Sequence, residues 1–182
     1  AARAFPDLAE AHTRRAEARR YLEEAFAYLQ PGGARLIAVG GLSGSGKSRL
    51  ACELAPWVEA APGARVVRSD VVRKQIAGIR LQDRLGPEGY TSDMTARTYA
   101  EVQKRVENVL RAGRPAIADA VFAAPSEREQ ISRIAEACGV PFAGFWLEAD
   151  PALMERRVAE RTNNVSDATV EILRRQRTYD LG

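Results

Sequence analysis

The eight residues Gly41-Leu42-Ser43-Gly44-Ser45-Gly46-Lys47-Ser48 constrain this chain more than any other segment. They satisfy the pattern G-x-x-x-x-G-K-[ST] in full, a pattern that needs a strand, a tight glycine-rich turn and the start of a helix. Both flanks comply. Arg35-Leu36-Ile37-Ala38-Val39 is short and apolar, as a buried strand is, and Arg49-Leu50-Ala51-Cys52-Glu53-Leu54 has helical character. Glycines allow successive backbone N–H groups to turn inward onto phosphate oxygens, aided by the positive end of the following helix. Gly41, Ser43, Gly44, Ser45, Gly46 and Arg49 are expected to form the cradle with Lys47 and Ser48. Lys47 would reach the β- and γ-phosphates, and the Ser48 hydroxyl would hold the accompanying Mg2+ ion. The expected ligand is a nucleoside triphosphate, ATP by default.

The rest of the chain supplies an ordinary globular background. Its 182 residues, 46% hydrophobic and 28% charged, suit a single domain large enough to bury roughly two-thirds of its unfolded surface. No apolar run approaches the ~20 residues of a membrane span, so no membrane association is expected and the expected location is cytoplasmic. Cys52 and Cys138 have no metal-like spacing and read as buried, reduced thiols rather than a disulfide. The net charge of +3 suits a protein handling polyanions without singling out nucleic acid. The chain begins with Ala1, so it is expected to have been processed or excised from something longer.

Patterning divides the chain into a helical lead-in over 1–33 and a larger domain over 34–182. From Asp7 to Leu29, apolar residues recur at spacings of three and four, and Pro31-Gly32-Gly33 ends the run. Strands are expected at Arg35–Gly40, Ala64–Arg68, Pro115–Val121 and Pro141–Leu147, alternating with helices. The helices fall at 47–58, 71–77, 95–111, from a Ser126 cap to 138, 151–161, and from a Ser166 cap to 179. This alternation implies a parallel sheet with helices on both faces: an α/β three-layer sandwich of the P-loop type, with an arginine-bearing lid. A further edge strand would be expected after Gly182.

Three features add chemistry to the phosphate loop. Asp70-Val71-Val72-Arg73 places a carboxylate and a guanidinium one helical turn apart at a strand mouth, where open α/β sheets bind ligands. Asp70 could accept a proton from an attacking hydroxyl, and Arg73 could hold phosphoryl oxygens or the acceptor. A helix-capping Asp70 beside a solvated Arg73 is the bland alternative. Asp119, at the end of the third strand, could hold magnesium or belong to the acceptor site. Arg157 and Arg161 share a helix face before the polar loop 162–165, as lid arginines that close over a triphosphate do. Arg19-Arg20 and Arg174-Arg175 read instead as solvated basic faces, and the only histidine, His12, is given no role. No Asn-Lys-x-Asp guanine-reading motif is present, which argues against a GTPase.

With these residues in hand, the chain resembles a family of P-loop kinases that occur alone or as the C-terminal half of bifunctional aminoglycoside phosphotransferase/ATP-binding proteins. The resemblance rests on residues 41–48, Arg-Ser-Asp-Val-Val-Arg-Lys at 68–74, Tyr-Thr-Ser-Asp-Met-Thr-Ala-Arg-Thr-Tyr at 90–99, Asp-Ala-Val-Phe at 119–122 and Ser-Asp-Ala-Thr at 166–169. More distantly the chain is similar to polynucleotide 5′-hydroxyl kinases, gluconate kinases, zeta toxins and chloramphenicol phosphotransferases. The resemblance implies Asp70 as general base, Arg73 as an acceptor-side arginine, and Arg157 and Arg161 as lid arginines. It also implies that the acceptor lies near Tyr90, Thr91, Thr95, Arg97 and Tyr99, and that an aminoglycoside-phosphotransferase-like domain lies upstream. The expected activity is ATP- and Mg2+-dependent phosphorylation of a hydroxyl, on a small molecule. The rival readings are a polynucleotide 5′-hydroxyl kinase and a non-transferring, ATP-dependent switch domain.

Overall fold

The computed structural model describes residues 8–30, 32–160 and 165–181. The chain forms two compact units, Ala1–Pro31 and Gly32–Gly182. The first is helix α1, Leu8–Leu29. Its polar faces are laced by i,i+4 ion pairs Arg14–Glu10, Arg19–Glu23 and Arg20–Glu24. Exposed pairs of this kind contribute about 0.3–0.5 kcal/mol each.

The second unit is an α/β layer structure with strands β1 (Leu36–Gly41), β2 (Arg65–Arg68), β3 (Ala116–Asp119) and β4 (Phe142–Leu147). All neighbours pair in parallel, in the order β2-β3-β1-β4. The third strand is shorter than its apolar run implied. Its ladder ends at Asp119, and within three residues the chain reaches Phe122 in a left-handed conformation, φ 51°. Side chains alternate between the two faces, as the period of two requires. Leu36, Ala38, Ala116 and Ala118 enter one core, packed by helices α3 (Ser69–Ile76), α4 (Ser92–Arg111) and α5 (Pro125–Ala137). Val39 and Ile117 enter the other, under α2 (Lys47–Leu54). Helices α6 (Pro151–Ala159) and α7 (Val170–Gln176) share a third cluster built on Met154, Val158 and Leu173.

Local chemistry sets the helix starts. Thr91 caps α4 by accepting from Met94 N, and the buried stripe Thr98, Val102, Val106 and Leu110 then faces the sheet. Asp150 caps α6 by accepting from Ala152 N and Leu153 N, with Pro151 in the first turn. Two caps differ from the sequence reading. Residue Ser126 does not cap α5: Pro125 already occupies the first turn, and Glu127 reaches back to accept from Ala124 N. Ser166 does not cap α7, because Thr169 lies closer and accepts from Ile172 N. Neither thiol is buried: Cys52 is exposed on α2 and Cys138 is half-buried.

A buried lysine ties the loops together on the site side. Lys74 is 1% exposed. Its ammonium donates to Leu81 O (3.0 Å), Asp83 O (2.8 Å) and the Asp167 carboxylate (3.0 Å). Asp167 also accepts from Leu85 N. This joins α3 to the loop after it and to the segment leading into α7. Lys74→Met should therefore cost about 3–5 kcal/mol in urea unfolding, because it strands the Asp167 charge. Adding Asp167→Leu should recover much of that loss, whereas additive losses would contradict a coupled pair.

Candidate active site

Parallel register brings the site together. Val39 and Arg68 both pair with Asp119, so β2 and β3 end level at one edge and β1 runs two residues past them to Gly41. From that edge β1 runs into the phosphate loop and β2 into α3, which carries Asp70 in its first turn.

The loop has the conformation its glycines allow. Gly41, Gly44 and Gly46 have φ of 139°, 88° and 104°. A Cβ at Gly44 would lie 2.6 Å from Met154 O, so α6 packs directly on the loop and only glycine fits between them. Gly46 precedes α2 with no side-chain cap, which leaves that helix N-terminus without an acceptor of its own. Arg157 on α6 donates to Gly44 O at 3.2 Å. Arg161 lies outside the described residues. The Arg49 side chain turns away to pair with Glu53.

Behind the loop sits a strained electrostatic arrangement. Asp119 is 2% exposed, and its Oδ1 has no hydrogen-bond partner. Burial pushes its carboxyl above the ordinary range; the Lys47 charge and the Ser48 hydroxyl oppose that rise, and the Asp70 charge adds to it. Arg68 spans the two carboxylates at 3.4 Å from each, Asp70 by Nη2 and Asp119 by Nε. An orphaned carboxylate oxygen next to a hydroxyl suits Mg2+, which takes one or two protein oxygens and completes its shell with phosphate and water. Ser48 and Asp119 thus fit the role expected of them. Among the described residues, no cluster of three or more His, Cys, Asp or Glu offers an all-protein metal site.

In front of the loop is a chamber of about 190 Å3 lined by Ser43, Lys47, Asp70, Arg73, Tyr90, Thr95, Tyr99 and Glu127, and by residues of α7. Arg73 is built into its wall: it donates to Gly89 O (2.8 Å) and Thr95 Oγ1 (3.3 Å) and lies 5.2 Å over the Tyr90 ring. Burial, with the Asp167 and Asp70 charges, pushes the Tyr90 hydroxyl up to about 12. Tyr99 accepts from Phe122 N at 3.1 Å, and Glu127, which accepts from Ala124 N, has its carboxyl raised chiefly by burial. Thr91 and Arg97 are not among the chamber's lining residues. Thr91 is the α4 cap and Arg97 is exposed beside Asp93.

Sequence reasoning missed the far wall. Gln176, 7% exposed, accepts from Ser43 N in the phosphate loop at 2.9 Å, across 133 residues. Arg175 is exposed, as expected of a solvated basic residue, and it also lines the chamber beside Gln176. No local pattern marks either residue, since their partners belong to another element. A larger groove of about 370 Å3 under β4 is lined by Phe142, Phe145 and Trp146 and holds no phosphate-loop residue.

The model of one family, described as an AAA domain, matches residues 36–179. The chain belongs to this AAA domain family. It is 31% identical over 177 residues to uncharacterized proteins of Mycobacterium tuberculosis (strain H37Rv) and Mycobacterium bovis, covering 92% of this chain and 34% of theirs. The chain thus spans about a third of the length of these relatives. Among solved structures it is similar to an adenosine-phosphosulfate (APS) kinase of M. tuberculosis (TM-score 0.56, 19% identity, 71% of each chain). A gluconokinase from Sinorhizobium meliloti aligns with TM-score 0.52 and 23% identity over 80% of this chain and 73% of that one. A chain of a Pnkp1/Rnl/Hen1 complex aligns with TM-score 0.54 and 17% identity, covering 70% and 40%. The fold is that of the P-loop kinases. Among the described residues, no helix is long and apolar enough to cross a membrane.

The electrostatics of Asp119 make a prediction. A raised carboxyl pKa means that the ionised form costs stability once pH exceeds the ordinary carboxylate range, so a neutral amide removes that cost. Asp119→Asn should leave the nucleotide-free Tm unchanged or higher at pH 7. It should also cut the gain in ATP affinity on adding Mg2+ at least about tenfold, read by calorimetry. A lower Tm with unchanged Mg2+ dependence would contradict the assignment.

Proposed function

We propose that this chain is an ATP-dependent kinase that transfers the γ-phosphoryl group to a hydroxyl of a small molecule. The observation that carries the reading is that Asp70 and the phosphate-loop residues Ser43 and Lys47 line one chamber. The Asp70 side chain is 32% exposed, so a carboxylate meets the chamber open enough to take a proton. In such a site the acceptor oxygen forms a bond to the γ-phosphorus as the bond to the β–γ bridging oxygen breaks. The acceptor proton passes to Asp70 and ADP leaves with the bridging electron pair.

Each residue has a task in that step. Lys47 and the loop N–H groups bind and neutralise the triphosphate; Arg68 holds the Asp70 carboxylate in place. Arg73 fixes the wall that carries Tyr90 and Thr95, and Arg157 ties α6 to the loop. A Mg2+ ion held by Ser48 and Asp119 would supply charge neutralisation at the phosphate oxygens. Like Arg73, Tyr99 and Glu127, each held by a backbone N–H, give the acceptor side polar groups of fixed orientation. The whole chamber, about 190 Å3, falls below the roughly 300–1,000 Å3 of drug-sized ligand sites, which supports a small acceptor over a polynucleotide. The sequence resemblance also supports an upstream phosphotransferase-like domain in the longer protein.

Incubation with γ-labelled ATP and a panel of sugars, aminoglycosides, nucleosides and 5′-hydroxyl oligonucleotides tests the reading. Lys47→Ala should weaken ATP binding. Asp70→Asn should keep ATP binding and lose transfer by about 10²–10⁴-fold. Wild-type transfer rates in Asp70→Asn would remove the general-base role. Labelling confined to oligonucleotides would replace the small-molecule acceptor, and nucleotide binding without transfer to any acceptor would favour a switch.

A further inference from the structure

We infer that Arg175 is a catalytic residue of this phosphoryl transfer, its guanidinium acting on the γ-phosphate, and that Gln176 is the positioning residue that holds it there. The inference rests on the kinase reading above.

Helix α7 is anchored on the phosphate loop. Leu173 is fully buried against Met154 and Val158 of α6, and the buried Gln176 carboxamide accepts from Ser43 N. A buried amide that satisfies a backbone donor of the loop fixes the helix in both rotation and distance from it. Ile172, Arg175, Gln176 and Tyr179 all line the chamber; they recur at i, i+3, i+4 and i+7, so one stripe of the helix and its continuation faces the loop.

The arginines of this segment divide by partner. Arg174 pairs with Glu155 at 3.0 Å and Arg177 with the same carboxylate at 3.7 Å, on the side away from the chamber. Arg175 has no carboxylate within 4 Å among the described residues, yet it shares the chamber with Lys47. Arg73, the other guanidinium there, is committed to Gly89 O, Thr95 Oγ1 and the Tyr90 ring. Lys47, Arg73 and Arg175 put three positive charges around this small polar space, against the two carboxylates of Asp70 and Glu127, so its walls favour an anion. A guanidinium with its donor fork unspent binds phosphoryl oxygens bidentately, and does so best as charge builds on them. It donates hydrogen bonds and transfers no proton, so the balance of bonds made and broken in the transfer is unchanged.

Calorimetry with Mg2+–ATP and Mg2+–ADP on the 182-residue chain tests this without knowing the acceptor. Arg175→Ala should weaken ATP binding about tenfold or more and leave ADP binding within about twofold, since only ATP carries the phosphate it touches. Arg175→Lys should not restore the preference, because an ammonium lacks the planar fork. Gln176→Leu should lose the same preference, and the double variant should be no worse than Arg175→Ala alone. An Arg175→Ala protein with the wild-type ATP-over-ADP ratio would overturn the inference while leaving the kinase reading intact. A wild-type chain that binds neither nucleotide would remove both.

Discussion

The site depends on the register of three parallel strands. Because Val39, Asp119 and Arg68 lie level across β1, β3 and β2, the phosphate loop, the buried Asp119 and the first turn of α3 open at one edge. A slip of one residue in β3 would turn Asp119 to the opposite face and place an alanine behind the loop. The backbone ladder therefore sets the chemistry before any side chain does. The small residues of β3 serve the same end: Ala116 and Ala118 are fully buried and let α4 and α5 pack close behind the site.

Around that edge, positive charge is distributed by commitment. Arg68 serves two carboxylates, Arg73 supports the acceptor wall, Arg157 rests on Gly44 O, and Lys74 is spent on internal carbonyls and Asp167. Such burial of a lysine is costly unless every donor is satisfied, and here the named acceptors do so. The result is a rigid acceptor wall joined to the segment that delivers α7. Flexibility is left to the exposed Arg175 side chain, which suits a group that must meet a phosphate arriving and leaving.

Much of this was legible in the sequence where chemistry is local. The G-x-x-x-x-G-K-S run specified strand, turn and helix, and strand ends located Asp70 and Asp119. The helix expected over 95–111 is present and starts three residues earlier, at Ser92, where Thr91 caps it. Pairings between distant elements were hidden: Lys74 with Asp167, Ser43 with Gln176, Tyr99 with Phe122. Nothing in the spacing of Arg174, Arg175 and Arg177 distinguishes them; only the position of Glu155 on α6 does. The caps at Ser126 and Ser166 were misread because a proline and a threonine nearby compete better for the same job.

The most direct measurement is a crystal structure of the chain with Mg2+ and a non-hydrolysable ATP analogue. The γ-phosphate should lie in the chamber between Lys47 and Asp70, with the metal on Ser48 and the Asp119 side. A triphosphate bound elsewhere, or Asp119 still engaged only with Arg68 and no metal beside it, would contradict this arrangement.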